Sequence, residues 1–327
     1  YIQGVNLTIV VWFALLGQLD VGEILIPKHQ WRYEMDDQAL WQLMRAAWIE
    51  LEAHYEPAIK PLVAESGLHI RAWMVLLAAL TFEPEDITPS HLMVRGPYTS
   101  SERYLMWLES AADQGYLTKT SSGSFRLSAD GNEATQEFIH LAREAMVSAD
   151  PLDADESKDL AEMLDRLVKE SLETSPPPNT WSISLSNKLM PPIDSRMPFI
   201  EQAFSCLSAY RDDAHLASWQ SSGMSAISME TVTVIWRGHA SSLDEITEKL
   251  SNRGHPKKVY VDALSQLRAK KYVSGSSNML RLTEKGKLFR DRVEAKTDQY
   301  FFKPWACLTK DEKNKMAVIL TDLREGL

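Results

Sequence analysis

Two cysteines in 327 residues, Cys206 and Cys307, are too few for a disulfide framework, so the chain reads as a protein of the reducing cytoplasm. No phosphate-cradling loop is spelled out: G-x-x-x-x-G-K-[ST] and G-x-G-x-x-G are both missing. H-E-x-x-H and C-x-x-C are missing too, and none of the eight histidines has metal-ligand spacing backed by a cysteine or carboxylate cluster. Catalysis is without support, and neither a metal nor a cofactor is expected. His69 and His215 read as polar or capping residues near helix ends, and Asp36–Asp37 and Asp212–Asp213 as helix-start or surface charge. Long apolar runs are scarce. "NLTIVVWFALL" (6–16) is too short to span a bilayer and has no lysine or arginine before it. Residues 1–36 are read as an extension with strand character, and no membrane partner is expected.

What remains is a globular composition, 44% hydrophobic and 24% charged, on a chain long enough for two domains. Its organising feature is an internal repeat at an offset of about 155 residues. "RLSADG" (126–131) returns as "RLTEKG" (281–286), in each case after a Ser/Gly-rich turn, "TSSGS" (120–124) or "SGSSN" (274–278). "HIRAWMVLLAAL" (69–80) falls on "SAISMETVTVIW" (225–236), and "SERYLMWLESAADQGYL" (101–117) on "KKVYVDALSQLRAKKYV" (257–273). In "LDADESKDLAEMLDRL" (152–167) and "LTKDEKNKMAVILTDL" (308–323), capping-box spacing precedes apolar residues at i, i+3, i+4, i+7. Between the copies, "ETSPPPNTWSISLSNKLMPPIDSRMP" (173–198) is too proline-rich for a continuous helix and reads as a stiff, partly extended connector.

Within the second copy the pattern predicts helices near 199–220, 225–237, 242–251 and 256–270, strands near 271–274 and 279–283, then helices at 284–301 and 309–326. A short helix, a tight turn at Gly254, a second helix and a two-stranded hairpin make a winged helix-turn-helix. In such a motif the second helix enters the major groove and the hairpin reaches neighbouring backbone.

The halves differ in charge. Residues 1–175 hold 13 basic and 28 acidic side chains, a net of −15; residues 176–327 hold 22 and 17, a net of +5. Over the motif itself, 252–292 carries 11 basic and 3 acidic residues, whereas 96–136 carries 3 and 5. Tyr260, Leu264 and Leu267 form the inward stripe of the second recognition helix, leaving Lys257, Lys258, Val261, Ser265 and Arg268 facing out. The matching outward positions of the first copy are Ser101, Glu102, Leu105, Glu109 and Ala112, a poor match to phosphate.

The runs "LRLTEKGKLF" (280–289), "LSQLRAKKYVS" (264–274) and "FFKPWACLTKDEKNKMAVILTDL" (301–323) resemble the MarR family of bacterial regulators. The resemblance covers 198–327 well and 37–172 more loosely. It implies a dimer-like body built from first and last helices, here folded from one polypeptide. That family's wing usually carries an Asp followed by an Arg, and a glycine follows its recognition helix. Neither wing tip here has the Asp–Arg pair, and the glycine is kept as Gly115 but replaced by Lys271.

The fold class expected is mainly α with small antiparallel β wings: two tandem winged helix-turn-helix domains related by a pseudo-two-fold. Its parts are the extension 1–36, an acidic repeat 37–174, a Pro-rich linker 175–197 and a basic repeat 198–327. The function expected is a cytoplasmic DNA-binding regulator. Duplex contact falls to Lys257, Lys258, Val261, Ser265 and Arg268, with Lys270, Lys271 and Arg281 holding nearby phosphates. Trp41, Trp48, Trp73 and Trp107 suggest either aromatic cores or a pocket for a small aromatic ligand, and the chain is expected to act as a monomeric pseudo-dimer. The alternative is a ligand- or protein-binding module that keeps the fold without DNA.

Overall fold

The computed structural model describes residues 36–174 and 179–327, so the extension expected at 1–36 falls outside the described residues except for Asp36. Asp36 caps α1 (Asp37–Glu65), its carboxylate accepting from the Ala39 N–H at 2.7 Å. His69 caps α2 (Ile70–Phe82) through Nδ1, as a residue at a helix start should. α3 (Pro89–Arg95) and α4 (Ser101–Asp113) follow, capped by Thr88 and Ser100. A hairpin of β1 (Leu117–Lys119) and β2 (Phe125–Leu127) leads into α5 (Ala129–Ala149) and α6 (Ala154–Glu173).

After α7 (Trp181–Asn187) the same order of elements occurs again. It comprises α8 (Met197–Gln220), α9 (Ala226–Trp236), α10 (Leu243–Lys249), α11 (Lys257–Ala269), β3 (Val273–Ser276), β4 (Met279–Leu282), α12 (Glu284–Phe301) and α13 (Lys310–Gly326). Both capping boxes are formed, by Asp153 with Glu156 and by Thr309 with Glu312. Each hairpin also gains a third partner from the turn before the first motif helix. Ile87 bridges Phe125 in the first, and the Leu280 N–H donates to the Ser241 carbonyl at 2.7 Å in the second.

The last residue of each repeated hexamer has a steric reason. A Cβ on Gly131 would sit 2.8 Å from the Tyr116 carbonyl carbon, and one on Gly286 would sit 2.9 Å from that of Tyr272. The first turn of the long helix lies directly on the start of the wing, so only a residue without a side chain lets the two backbones meet.

α1 and α8 form the body. α5 packs on α1 and α12 on α8, while the closing helices cross over: α13 lies on α1, α6 lies on α8, and α6 touches α13. Asp159 of α6 pairs with Lys315 of α13, Arg166 with Glu312, and Lys313 reaches Asp37 at 2.6 Å. One large apolar core runs through this body and continues into the first winged lobe through Trp73, Leu76, Leu108 and Phe125. The second lobe has its own core, around Trp219, Met229, Val232, Tyr260, Leu264 and Leu280.

Over its described residues, 179–197, the connector also holds a short helix that the sequence reading did not place. Residues 181–187 are helical, with Ser182, Ile183 and Ser186 buried against α8. The prolines at 191–192 bound this helix rather than prevent it. Asp213 explains why it forms: buried in α8, its carboxylate accepts from the backbone N–H groups of Ser182 and Ile183 at 3.0–3.1 Å and so caps α7 from another helix. Asp212 is likewise interior, 2.8 Å from Arg95. The reading of this pair as helix-start or surface charge is thereby corrected. His215 is also no capping residue: it is buried in mid-α8 beside Thr297, and burial pushes its pKa down to about 3. Both thiols are free, and Cys206 sits in the core near Ser186.

Trp41, Trp48, Trp73 and Trp107 are all buried in the large core. Trp73 stacks on Phe138 and donates to Ser66 Oγ at 2.6 Å, so this set is chiefly packing, with Trp41 also lining a cavity. Among the described residues no single helix is long and apolar enough to cross a membrane.

Candidate nucleic-acid interface

α10, a single turn ending at Gly254 and α11 form a helix-turn-helix, with Gly254 in the left-handed region at φ 77° where that turn reverses direction. Tyr260, Ala263, Leu264 and Leu267 face the lobe interior, and the Tyr260 hydroxyl donates to the Leu250 carbonyl at 3.2 Å. The opposite face carries the residues expected there: Lys257, Lys258, Val261 and Ser265 are exposed and Arg268 is half-buried.

These side chains are not equally available. Lys257 pairs with Asp244 of α10, an exposed pair worth roughly 0–1 kcal/mol that phosphate could displace. The Ser265 hydroxyl donates to the Val261 carbonyl one turn back, at 3.0 Å. Arg268 donates to the Gly275 carbonyl of β3 at 3.1 Å, so this residue braces the wing that lacks the Asp–Arg pair. Lys270, Lys271 and Arg281 are all exposed at the base of the hairpin, Arg281 opposite Ser274 in register. Two of the eleven basic residues counted over 252–292 are not on this surface. Arg253 and Arg290 are buried, paired with Glu230 and Glu294. Sequence charge overstates the field there, because it cannot tell an interior arginine from a surface one.

Lys285 belongs to this face and was missed. Its ammonium donates to the Lys270 carbonyl at 3.0 Å and lies 5.3 Å from the Tyr272 ring centre. The "KGK" after the hexamer's glutamate was the available signal. Lys271 takes φ 60°, at the slot where the first lobe has Gly115 at φ 83°. A lysine there carries left-handed strain of about 1–2 kcal/mol. Lys271→Gly is expected to raise stability by about 0.5–1 kcal/mol, part of the gain being lost to glycine's greater freedom when unfolded, as measured by urea denaturation.

The corresponding face of the first lobe is closed in two ways. Its wing cations are neutralised: Arg126 pairs with Asp86 at 2.6 Å and Lys119 with Glu109 at 2.8 Å. The start of its motif helix is also docked on the second lobe. Tyr98 is only 3% exposed and forms part of the second lobe's core, its hydroxyl accepting from the Trp219 indole at 3.1 Å. The Ser100 N–H donates to the Arg253 carbonyl at 2.9 Å, and His255 Nε2 lies 2.9 Å from the Tyr98 carbonyl oxygen. Arg253 joins the two sides, donating to Thr99 Oγ1 at 3.3 Å while held 2.6 Å from Glu230. Gly254 packs so tightly that a Cβ would meet Arg103 Cβ at 2.7 Å.

α11 begins four residues after Arg253, so the starts of α4 and α11 lie within about 20 Å of each other. Recognition helices reading successive major grooves sit about 34–36 Å apart. In this arrangement both helix starts cannot enter neighbouring grooves.

A helix-turn-helix family matches residues 130–327, more than half of the sequence. The chain belongs to this helix-turn-helix family. The matched region contains α10, α11, the second hairpin and both cross-over helices, α6 and α13, while α1–α4 and the first hairpin precede it. No curated protein and no solved structure matches the chain. For a helix-turn-helix protein, DNA binding and transcription regulation are the general expectation, and the exposed cationic face lies within the matched residues.

Proposed function

We propose that this chain is a MarR-like regulator folded as a single-chain pseudo-dimer, binding duplex DNA through the second lobe alone. Equivalent features at an offset of about 155 support the tandem reading. They include Gly131 and Gly286 on their wings, Gly115 and Lys271 at positive φ, and the cross-over of α6 and α13. Asp159 and Lys315, the same slot in the two closing helices, pair with each other, as residues flanking a pseudo-two-fold must.

The observation that carries the DNA reading is the contrast between faces. Lys258, Lys270, Lys271 and Arg281 are exposed around α11 with no salt bridge among the described residues, whereas Arg126 and Lys119 are each held by a carboxylate. Phosphate contact needs cations free to exchange solvent counterions. Keeping a strained lysine at 271 where glycine is easier also suits a surface kept for its charge.

Fluorescence anisotropy with a mixed-sequence duplex at low salt tests this. Lys258→Glu with Arg281→Glu should weaken binding by about tenfold or more and flatten the salt slope by about one per lost phosphate contact. Arg126→Glu should change little. Absence of binding at low salt, or equal effects from both sets, refutes the reading. In the same assay Lys271→Gly should lose affinity while gaining stability. The contact between lobes favours the alternative of a binding module without DNA, and the low-salt arm decides between the two.

A further inference from the structure

The outward face of α4 is unsuited to phosphate, yet it is not a plain solvated surface. Leu105 lies three residues after Glu102 and four before Glu109, so the three share one stripe of the helix. Met106 beside it is 46% exposed, where α11 has Asp262, and Val94 of the adjoining α3 is 43% exposed. Glu102 is exposed with no salt bridge among the described residues, and Asp113 is exposed at the helix end. The matching stripe of α11 reads Lys258, Val261 and Ser265, with Val261 41% and Met279 of the wing 58% exposed. Seven large apolar side chains are exposed among the described residues, and these four of them fall on the two motifs. Each face thus has an apolar centre, and the charges around the two centres are opposite.

We propose that the two faces bind each other between copies of this chain, so that α4 of one copy covers α11 of the next in a closed pair. Complementary charge names a second copy as the occupant, because every chain carries both faces. They cannot meet within one chain. The lobes touch through Tyr98, Ser100 and the turn at Arg253 and His255. That contact fixes the starts of α4 and α11 beside each other while Glu102, Met106, Lys258 and Val261 stay exposed. On the tandem reading, the pseudo-two-fold turns both faces to the same side. A second copy rotated by half a turn then sets α4 against α11 twice, which closes the pair and doubles the contact.

The exposed salt bridges on the two faces, Glu109 with Lys119 and Lys257 with Asp244, are weak and open to exchange with the charges of a second copy. Arg103 does not oppose the contact, because it packs against Gly254 at the junction of the lobes. Pairing covers Lys258, Lys270, Lys271 and Arg281, and so holds the chain off DNA until a duplex displaces the second copy. That consequence rests on the DNA reading and closure rests on the tandem one; the contact itself needs only the two faces.

Sedimentation velocity on the full chain tests this at concentrations up to about 0.1 mM. At low salt it should show a monomer–dimer equilibrium, weakened about tenfold or more at about 0.5 M salt. Glu102→Lys with Glu109→Lys should abolish pairing, as should Lys258→Glu with Arg281→Glu. An equimolar mixture of the two variants should pair again, which separates a lost contact from a failure to fold. Monomer throughout at low salt, a dimer that ignores salt or either charge reversal, growth into larger species, or no rescue in the mixture overturns the proposal. A short duplex added at low salt should split the pair. Pairing without duplex binding would refute the proposed function and leave the self-contact standing; duplex binding by a chain that stays monomeric would do the reverse.

Discussion

Gly286→Ala is expected to destabilise the protein by about 2–4 kcal/mol, although alanine is the better helix former by about 1 kcal/mol. The propensity gain is small beside the steric loss. The new methyl would stand 2.9 Å from the Tyr272 carbonyl carbon, closer still to its oxygen, and also 2.9 Å from Leu282 Cδ1. The oxygen cannot move freely, because it accepts from the Thr283 N–H at 2.9 Å and from its hydroxyl at 3.1 Å. Relief therefore means lifting α12 off the wing. Gly131→Ala should behave alike, since the Tyr116 carbonyl accepts from Ser128 at 3.1 Å. Urea denaturation followed by circular dichroism gives the comparison, and an unchanged or raised midpoint for either variant would refute the close-approach account. On the proposed function the two variants part company, Gly286→Ala weakening duplex binding and Gly131→Ala sparing it.

Local patterning made most of the second half legible. The helices expected at 199–220, 225–237 and 284–301 are found at Met197–Gln220, Ala226–Trp236 and Glu284–Phe301, because apolar spacing and side-chain caps act over a few residues. The first wing strand, expected at 271–274, starts at Val273 because Lys271 and Tyr272 are spent on the left-handed turn. α7 was illegible for a different reason. Its cap is Asp213, more than 25 residues away, and "SISLSN" alternates with a period of two, which suggests a strand and not a helix. The outward face of α11 could be read from helical spacing, but the availability of each charge could not. Lys257, Arg268, Arg253 and Arg290 look alike in sequence, and tertiary partners alone distinguish them. Tyr98, between a proline and a threonine, reads as an ordinary loop aromatic; its place in the other lobe's core depends on a pairing across more than 120 residues.

Arg253→Ala is expected to have the largest effect of any single change, about 3–5 kcal/mol, because it strips the partner from an interior carboxylate. Glu230 is 7% exposed and pairs with Arg253 at 2.6 Å, while its second oxygen has no hydrogen-bond partner among the described residues. Burial raises the Glu230 carboxyl above its usual range even with the guanidinium present. Without Arg253 it should rise further, and this fixes the pH dependence. A carboxyl whose folded pKa exceeds its unfolded value favours folding while protonated, and that contribution is lost as pH rises through the folded pKa. The deficit of Arg253→Ala should therefore be smaller near pH 5 than near pH 8. Replacing Arg253 and Glu230 together by methionine should recover most of the loss, since the double change leaves no uncompensated charge. The same arginine ties the lobes together through Thr99 Oγ1 and, by its carbonyl, the Ser100 N–H. Backbone amide exchange at Ser100 should consequently quicken in Arg253→Ala and stay protected in the double methionine variant if apolar packing around Tyr98 holds the lobes. Equal deficits at both pH values, or a double variant no better than the single, would show that the Glu230 charge is not what Arg253 balances. Separation of the lobes would let α4 and α11 move apart and uncover Arg103, which packs against Gly254, but Glu102 and Glu109 on the same helix keep it a poor match to phosphate.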